Sequence, residues 1–265
     1  MLRLRREFSF SPVSDLPIGI LAHAVVCTLG ISVPAVWHAW RGTLTPAICD
    51  EKLHKWSRQL VDRAGINVVV HGQDVLLTHQ PPFIVISNHQ SLYDIPVLFQ
   101  ALPLSLRMAA KKELFSFPIW GRAMTAAGFV KIDRKDRERA HEALRAAGLA
   151  MSEQKLSLMI APEGTRSVTG QLLPFKNGAF HLAKATGLPI LPVFIDGTIL
   201  AHKSGDFTVH RGQTVHVHIL PPLLPAQFES ADAMRAEALR ILQQAQFQSR
   251  NPEPKVEAEH PTSLS

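Results

Sequence analysis

A chain of 265 residues can bury a full core in one domain. Hydrophobic residues make up 46% and mean hydropathy is +0.07, high for a charged soluble enzyme, and both point to contact with lipid. The net charge of +6 and the pI of about 9.6 suit anionic partners, but no recognition-helix, RNP-type or zinc-finger pattern accompanies them, which excludes a nucleic-acid reader.

The amino terminus carries Arg3, Arg5 and Arg6. From Leu16 to Trp40 there is then no Lys, Arg, Asp or Glu. A run of about 20 such residues is long enough to cross a bilayer as a helix. Pro34 would kink it, and Trp37 and Trp40 lie where interfacial aromatics are expected. The expectation is a retained membrane segment over residues 1–45, either a span or a kinked hairpin dipping into one leaflet. A secretory signal peptide or a core helix are the competing readings.

Residues 46–64 have Pro46 in the first turn and Ile48, Leu53, Trp56, Leu60 and Val61 at near-helical spacing. They predict an amphipathic helix that faces either the core or the membrane. Ile66 to Val70 reads as a first strand. Phe83 to Ile86, apolar and β-branched, reads as a buried one, and it runs into Ser87-Asn88-His89-Gln90-Ser91-Leu92-Tyr93-Asp94. A helix begins here and Pro103 stops it. A histidine at a strand end, with an acid five residues on across a turn, lets the carboxylate hold one imidazole nitrogen. The other nitrogen is then left to take a proton.

Leu104 to Ala109 reads as a strand leading to Lys111 and Lys112. Leu114, Phe115, Phe117, Pro118, Ile119 and Trp120 follow as an apolar patch beside a basic stretch, which is core or a lipid-facing surface. Residues 107–145 hold ten Lys/Arg against five Asp/Glu. Gly128 to Arg134 contains a further apolar run. Asp133 to Gln154 reads as a helix with a solvated charged face. Leu156 to Ile160 is a strand opening into Ala161-Pro162-Glu163-Gly164-Thr165-Arg166-Ser167. Asn177 to Thr186 is a helix and Ile190 to Ile195 a strand whose Pro192 argues for an edge or a bulge. Val209 and Thr214 to Leu220 predict a hairpin turning at Gly212, with His216 and His218 on one face and no third metal ligand nearby. Ser230 to Gln248 is a closing helix capped by Ser230. Residues 249–265, rich in Pro, Glu, Ser and Thr, predict a disordered tail. Cys27 and Cys49 form no framework or metal spacing, consistent with a reducing compartment.

The alternation of strands and helices predicts an α/β domain over 46–248, with a mostly parallel or mixed sheet flanked by helices. Loops leaving the carboxyl ends of parallel strands share one edge, where ligands bind. On that edge His89, Asp94, Arg134, Glu163 and Arg166 would form one cleft, suited to a hydroxyl nucleophile that carries a phosphate.

Asn88 to Asp94 resembles the histidine–four residues–aspartate motif of the glycerolipid acyltransferases. Gly128 to Arg134 resembles their second motif, Pro162 to Ser167 their glutamate-glycine-threonine-arginine motif, and Leu188 to Val193 their proline-containing fourth. Lys111-Lys112-Glu113-Leu114 and Pro174-Phe175-Lys176-Asn177-Gly178 are similar to further signatures. The motifs occur in order, and the likeness covers roughly residues 50 to 220. The 1-acylglycerol-3-phosphate acyltransferases are the best match. The resemblance implies a membrane enzyme of the inner membrane, with its catalytic domain on the cytoplasmic side. It implies that an acyl chain passes from acyl-CoA or acyl-carrier protein to the sn-2 hydroxyl of lysophosphatidic acid, with anionic membrane lipid as a further partner. His89 would be the base and Asp94 its orienting acid. Lys111, Arg134, Glu163, Gly164, Thr165 and Arg166 would serve the substrate. No metal and no cofactor is implied. Another acceptor (a lyso-ornithine lipid or glycerol 3-phosphate) or a non-catalytic lipid-binding protein are the alternatives. A serine hydrolase would want Gly-x-Ser-x-Gly, which is absent.

Overall fold

The computed structural model describes residues 17–133, 136–206 and 208–251. The elements run α1 (Pro17–Trp40), α2 (Pro46–Arg63), β1 (Asn67–His71), α3 (Val75–Thr78), β2 (Ile84–Ser87), α4 (Asp94–Ala101), β3 (Leu106–Lys111) and α5 (Pro118–Ala126). They continue with β4 (Val130–Ile132), α6 (Arg137–Glu153), β5 (Ser157–Ile160), α7 (Gly178–Thr186), β6 (Ile190–Asp196), α8 (Thr198–Ala201), β7 (Thr214–Ile219) and α9 (Ala231–Arg250).

The seven strands form one mixed sheet in the order β1-β7-β6-β2-β5-β3-β4. Every neighbouring pair is parallel except β6 with β7. The carboxyl ends of β2, β3, β4, β5 and β6 therefore point to one edge, as the sequence predicts for the site-bearing loops. β2 and β5 are buried at every position, consistent with strands covered on both faces. On one face Phe83, Val85, Leu106, Met159, Leu191 and Val193 pack with Val97 and Leu98 of α4 and Leu53, Leu60 and Val61 of α2. On the other, Ile84, Ile86, Leu158, Ile190 and Phe194 pack with Leu144 of α6, Phe180 and Leu182 of α7, and Met234, Ala238 and Leu242 of α9.

Thr45 caps α2 by accepting from the Ile48 amide, and Pro46 occupies the first turn. The apolar stripe of α2 faces the core, which settles the choice left by its amphipathic pattern. Arg107, counted in the sequence with the basic surface stretch, is instead 1% exposed and donates to Asp50 at 2.6 Å. Ser105 donates to the same carboxylate, so these groups staple α2 to β3. Truncating Asp50 would strand the buried Arg107 guanidinium, a loss of roughly 3–5 kcal/mol.

The structure corrects or narrows four local expectations. Residues 17–40 form one continuous helix with Pro34 inside it, not a hairpin dipping into one leaflet. β7 is not half of a hairpin: Val209 is coil, and β7 pairs with β6 and β1 because both offer it long-range ladders. β6 is an interior strand, so of the two positions that Pro192 allowed the edge is excluded and the bulge is the one found. The Pro192 carbonyl accepts from the Leu220 amide, so its nitrogen faces the same neighbour, just before the Val193–Ile219 pair. Between that pair and the Ile190–Leu223 bridge the partner segment carries one residue more than β6, so the missing donor falls at a bulge. Finally, α9 runs on through Arg250, beyond the predicted start of the tail at 249; residues 252–265 lie outside the described residues.

Candidate active site

The site is built where β2 ends. β2 delivers Asn88, whose side chain is inserted between strands. Its amide nitrogen donates to the Ile195 carbonyl and its oxygen accepts from the Ile195 amide, each at 2.8 Å. This reciprocal pair locks the loop to the end of β6. The next residue, His89, turns its ring toward the first turn of α4. Nδ1 lies 2.7 Å from Asp94 Oδ2. The Asp94 side chain is fully buried, while that of His89 is 19% exposed.

A buried carboxylate needs donors on every lone-pair direction. Asp94 has them. Oδ2 also accepts from the backbone amides of Gln90 (2.7 Å) and Ser91 (2.9 Å), and Oδ1 accepts from Thr198 Oγ1 (2.6 Å). An ionised carboxylate only accepts, so Nδ1 carries a proton and the lone pair of neutral His89 sits on Nε2. Nε2 has no hydrogen-bond partner among the described residues, and it is the ring nitrogen available to a substrate proton.

The loop after β5 closes over the histidine. Glu163, 4% exposed, accepts from the His89 amide at 2.9 Å through Oε1 and from the Leu173 amide at 3.1 Å through Oε2. The Ser167 amide donates back to the His89 carbonyl at 2.7 Å. Burial pushes the Glu163 carboxyl up to about 6, against the pull of those two amides. Both its oxygens are engaged by backbone, so its geometry is that of a clamp between two loops.

Gly164 has φ +72, and a Cβ there would lie 2.8 Å from Lys176 Nζ. The positive φ is what calls for glycine here, and the Lys176 side chain crosses close over it. Thr165 is exposed. Arg166 is half-buried and has no ion pair among the described residues. Lys111, 52% exposed, ends β3 and lies 3.8 Å from Glu113. Lys112 is tied to Asp133 at 2.5 Å, so part of the basic stretch is internally neutralised. Arg134 lies outside the described residues. His89, Asp94 and Glu163 are thus in direct contact, Gly164, Thr165 and Arg166 share Glu163's loop, and Lys111 stands at a neighbouring strand end.

Sequence reasoning missed two groups. Thr198 reaches Asp94 from a different part of the chain, and no local pattern marks it. Lys176 stands in a recognised signature, but its contact with Gly164 is a product of the fold.

Comparison with known proteins bears on this geometry. A family model described as Acyltransferase matches residues 67–196. A 1-acyl-sn-glycerol-3-phosphate acyltransferase of Cocos nucifera is 35% identical over 66% of this chain and 56% of its own length. The Saccharomyces cerevisiae enzyme of that name is 39% identical over 60% and 52%, and the Escherichia coli one 35% identical over 55% and 58%. The chain therefore spans between half and three-fifths of the length of these relatives. The crystal structure of a 1-acyl-sn-glycerophosphate acyltransferase from Thermotoga maritima superposes with a TM-score of 0.76, covering 92% of this chain and 99% of that one at 24% identity, which establishes the common fold. The family match runs through His89, Asp94, Lys111, Glu163, Gly164, Thr165 and Arg166, so the residues gathered at this strand edge lie within a segment similar to the Acyltransferase family.

Proposed function

We propose that this protein transfers an acyl chain from a thioester donor to the sn-2 hydroxyl of lysophosphatidic acid, giving phosphatidic acid. The observation that carries the proposal is the 2.7 Å bond from His89 Nδ1 to a buried, four-donor Asp94, with Nε2 left without a partner among the described residues. A neutral hydroxyl is a poor nucleophile near neutral pH, and a positioned base supplies what it lacks. His89 Nε2 takes the hydroxyl proton as the oxygen bonds to the thioester carbonyl carbon. Asp94 stabilises the imidazolium through Nδ1. Collapse of the tetrahedral adduct breaks the carbon–sulfur bond, and Nε2 returns its proton to the departing thiolate. The substrate hydroxyl fills the role of a protein nucleophile, so no acyl-enzyme forms. The proton balance closes on His89 with no metal or cofactor.

Arg166 supplies a planar guanidinium fork for the acceptor phosphate, with Lys111 and Arg134 as its helpers. That Arg166 has no ion pair among the described residues supports this role. Glu163 and Gly164 serve the substrate indirectly, by fixing the loop that carries Arg166.

The reaction takes place at a membrane. Val25, Val26, Leu29, Val33, Trp37 and Trp40 expose an apolar stripe along α1, within an apolar stretch Ala22–Trp40 long enough to span a bilayer. Phe117 and Ile119 add exposed apolar area beside α5, which packs on α1. We place the domain on the cytoplasmic side of the inner membrane, in keeping with the two free cysteines.

The test is acyl transfer by detergent-purified protein, with labelled acyl-CoA and acyl-carrier protein as separate donors and lysophosphatidic acid as acceptor. Phosphatidic acid from one donor or both, lost in folded His89→Ala, is the expected result. Failure of the wild type with both donors would overturn the acceptor assignment.

A further inference from the structure

We infer that Thr198 is a positioning residue for the reaction: its hydroxyl sets the charge distribution of Asp94, and through Asp94 the proton affinity of His89. The kinetic part of this inference rests on the acyl-transfer reading above; the spectroscopic part does not.

Of the two oxygens of Asp94, Oδ2 has three donors and Oδ1 has one, Thr198 Oγ1. Thr198 is fully buried, so water cannot substitute for it. The direction of its hydrogen bond is also fixed. Gln90 Nε2 donates to Thr198 Oγ1 at 3.0 Å, so the hydroxyl accepts from Gln90 and spends its own hydrogen on Asp94. Gln90 is held in that orientation because the same amide nitrogen donates to the Ile195 carbonyl at 3.0 Å. The hydroxyl therefore cannot turn away without stranding two buried groups.

Its place is secured by the backbone. Thr198 follows β6 across Gly197, which has φ +97. A Cβ at Gly197 would stand 2.5 Å from the Thr214 carbonyl oxygen, so only glycine permits the turn that swings Thr198 under the carboxylate. The end of β6 thus completes the cradle from the far side. Ile195 holds Asn88 and Gln90, and Thr198 holds Asp94, all more than a hundred positions further along the chain.

The chemical consequence follows from where the negative charge lies. A hydroxyl donating to Oδ1 draws charge toward that oxygen. Without it, more charge rests on Oδ2, the oxygen that faces the imidazole. The imidazolium is then better stabilised, and His89 releases its proton at a higher pH.

The experiment compares wild type, Thr198→Val and Thr198→Ser in two arms. In the first, the His89 Nδ1–H resonance is followed by proton NMR in 15N-histidine-labelled protein, with His89→Ala to assign it. The resonance is expected to move in Thr198→Val and to return in Thr198→Ser. In the second, kcat/KM for acyl transfer is measured against pH. Thr198→Val is expected to lower it about tenfold near neutral pH and to shift the acid limb upward, and Thr198→Ser to recover both. An unmoved resonance in folded Thr198→Val overturns the inference. So does a rate loss with an unshifted acid limb, which would be packing alone, and so does a serine variant that behaves like valine. If wild type transfers no acyl chain to lysophosphatidic acid, the functional reading fails while the NMR arm still decides on Thr198.

Discussion

Two groups of histidine chemistry lie on the same sheet and have opposite surroundings. At the carboxyl end of β2, one histidine meets one buried acid that accepts from four donors. On β1 and β7, His71, His216 and His218 meet one another. The His71 and His218 rings stack with centroids 4.6 Å apart, and His71 Nε2 lies 3.0 Å from His216 Nδ1. Among the described residues no acid enters that stack with a hydrogen bond; nearby Asp196 is engaged by Ser249. Burial, with the neighbouring His71 and His216, lowers the His218 pKa. Among the described residues no group of His, Cys, Asp and Glu side chains is arranged to hold a metal. Imidazole alone therefore makes no site. An acid that is itself held fast orients the ring and leaves one nitrogen for a proton, whereas burial among its own kind lowers the proton affinity of His218.

The sharpest way to break this comparison is at the acid–base pair. His89→Ala should reduce acyl transfer by about 10²–10⁴ while lowering the melting temperature only modestly, since Asp94 keeps its other three donors. Asp94→Asn should cost comparable activity and also destabilise the fold by several kcal/mol, because an amide NH₂ would oppose donors now satisfied by carboxylate. Activity and a urea titration on each variant separate the two effects. A stable, active Asp94→Asn would remove the acid's part in the contrast.

Glu163 gives an effect of intermediate size. Its carboxyl is raised from 4.5 to about 6 by burial, so the native state holds a proton between those values after the unfolded chain has lost it. This group's contribution is thus greatest below about pH 4.5 and falls as pH rises through 6, by about 2 kcal/mol in all. Glu163→Gln, always neutral, should abolish that slope in urea titrations between pH 4.5 and 6.5. It should also slow transfer, because glutamine can accept from only one of the His89 and Leu173 amides through its single oxygen.

The smallest effect belongs to the stack. With its pKa below the usual 6.5, His218 is favoured neutral in the fold. Stability from this group is present above pH 6.5 and is lost as pH falls, because the unfolded chain takes up the proton first. His218→Leu should flatten that acid-side loss in thermal melts and leave acyl transfer unchanged. A large loss of activity would mean that the two histidine groups are not independent.

Much of the site was legible before any coordinates. His89 and Asp94 are close in sequence, and a strand end followed by a helix start leaves few ways to arrange them. The loop of Glu163 to Arg166 was legible for the same reason, since it too follows a buried apolar run. Other features were not. Pro192 left an edge and a bulge both open, because sequence cannot show which neighbouring strand its nitrogen would face; the structure takes the bulge. Arg107 read as surface charge, because its partner Asp50 lies on a helix packed from elsewhere. His71 was never joined to His216 and His218, which lie 145 or more residues away.

By itself, then, the sequence determined what local chemistry can specify: the order of strands and helices, the apolar length of α1, the loops in which acid, base and arginine reside, and the family that their spacing resembles. The tertiary structure decided which distant groups complete them. It placed Glu163 on the His89 amide, Ile195 on Asn88, and Thr198 on the free oxygen of Asp94. The physical reason is the parallel sheet. Its adjacent strand ends bring together residues tens to more than a hundred positions apart, and the hydrogen bonds that a buried carboxylate requires come from whatever chain the packing sets beside it.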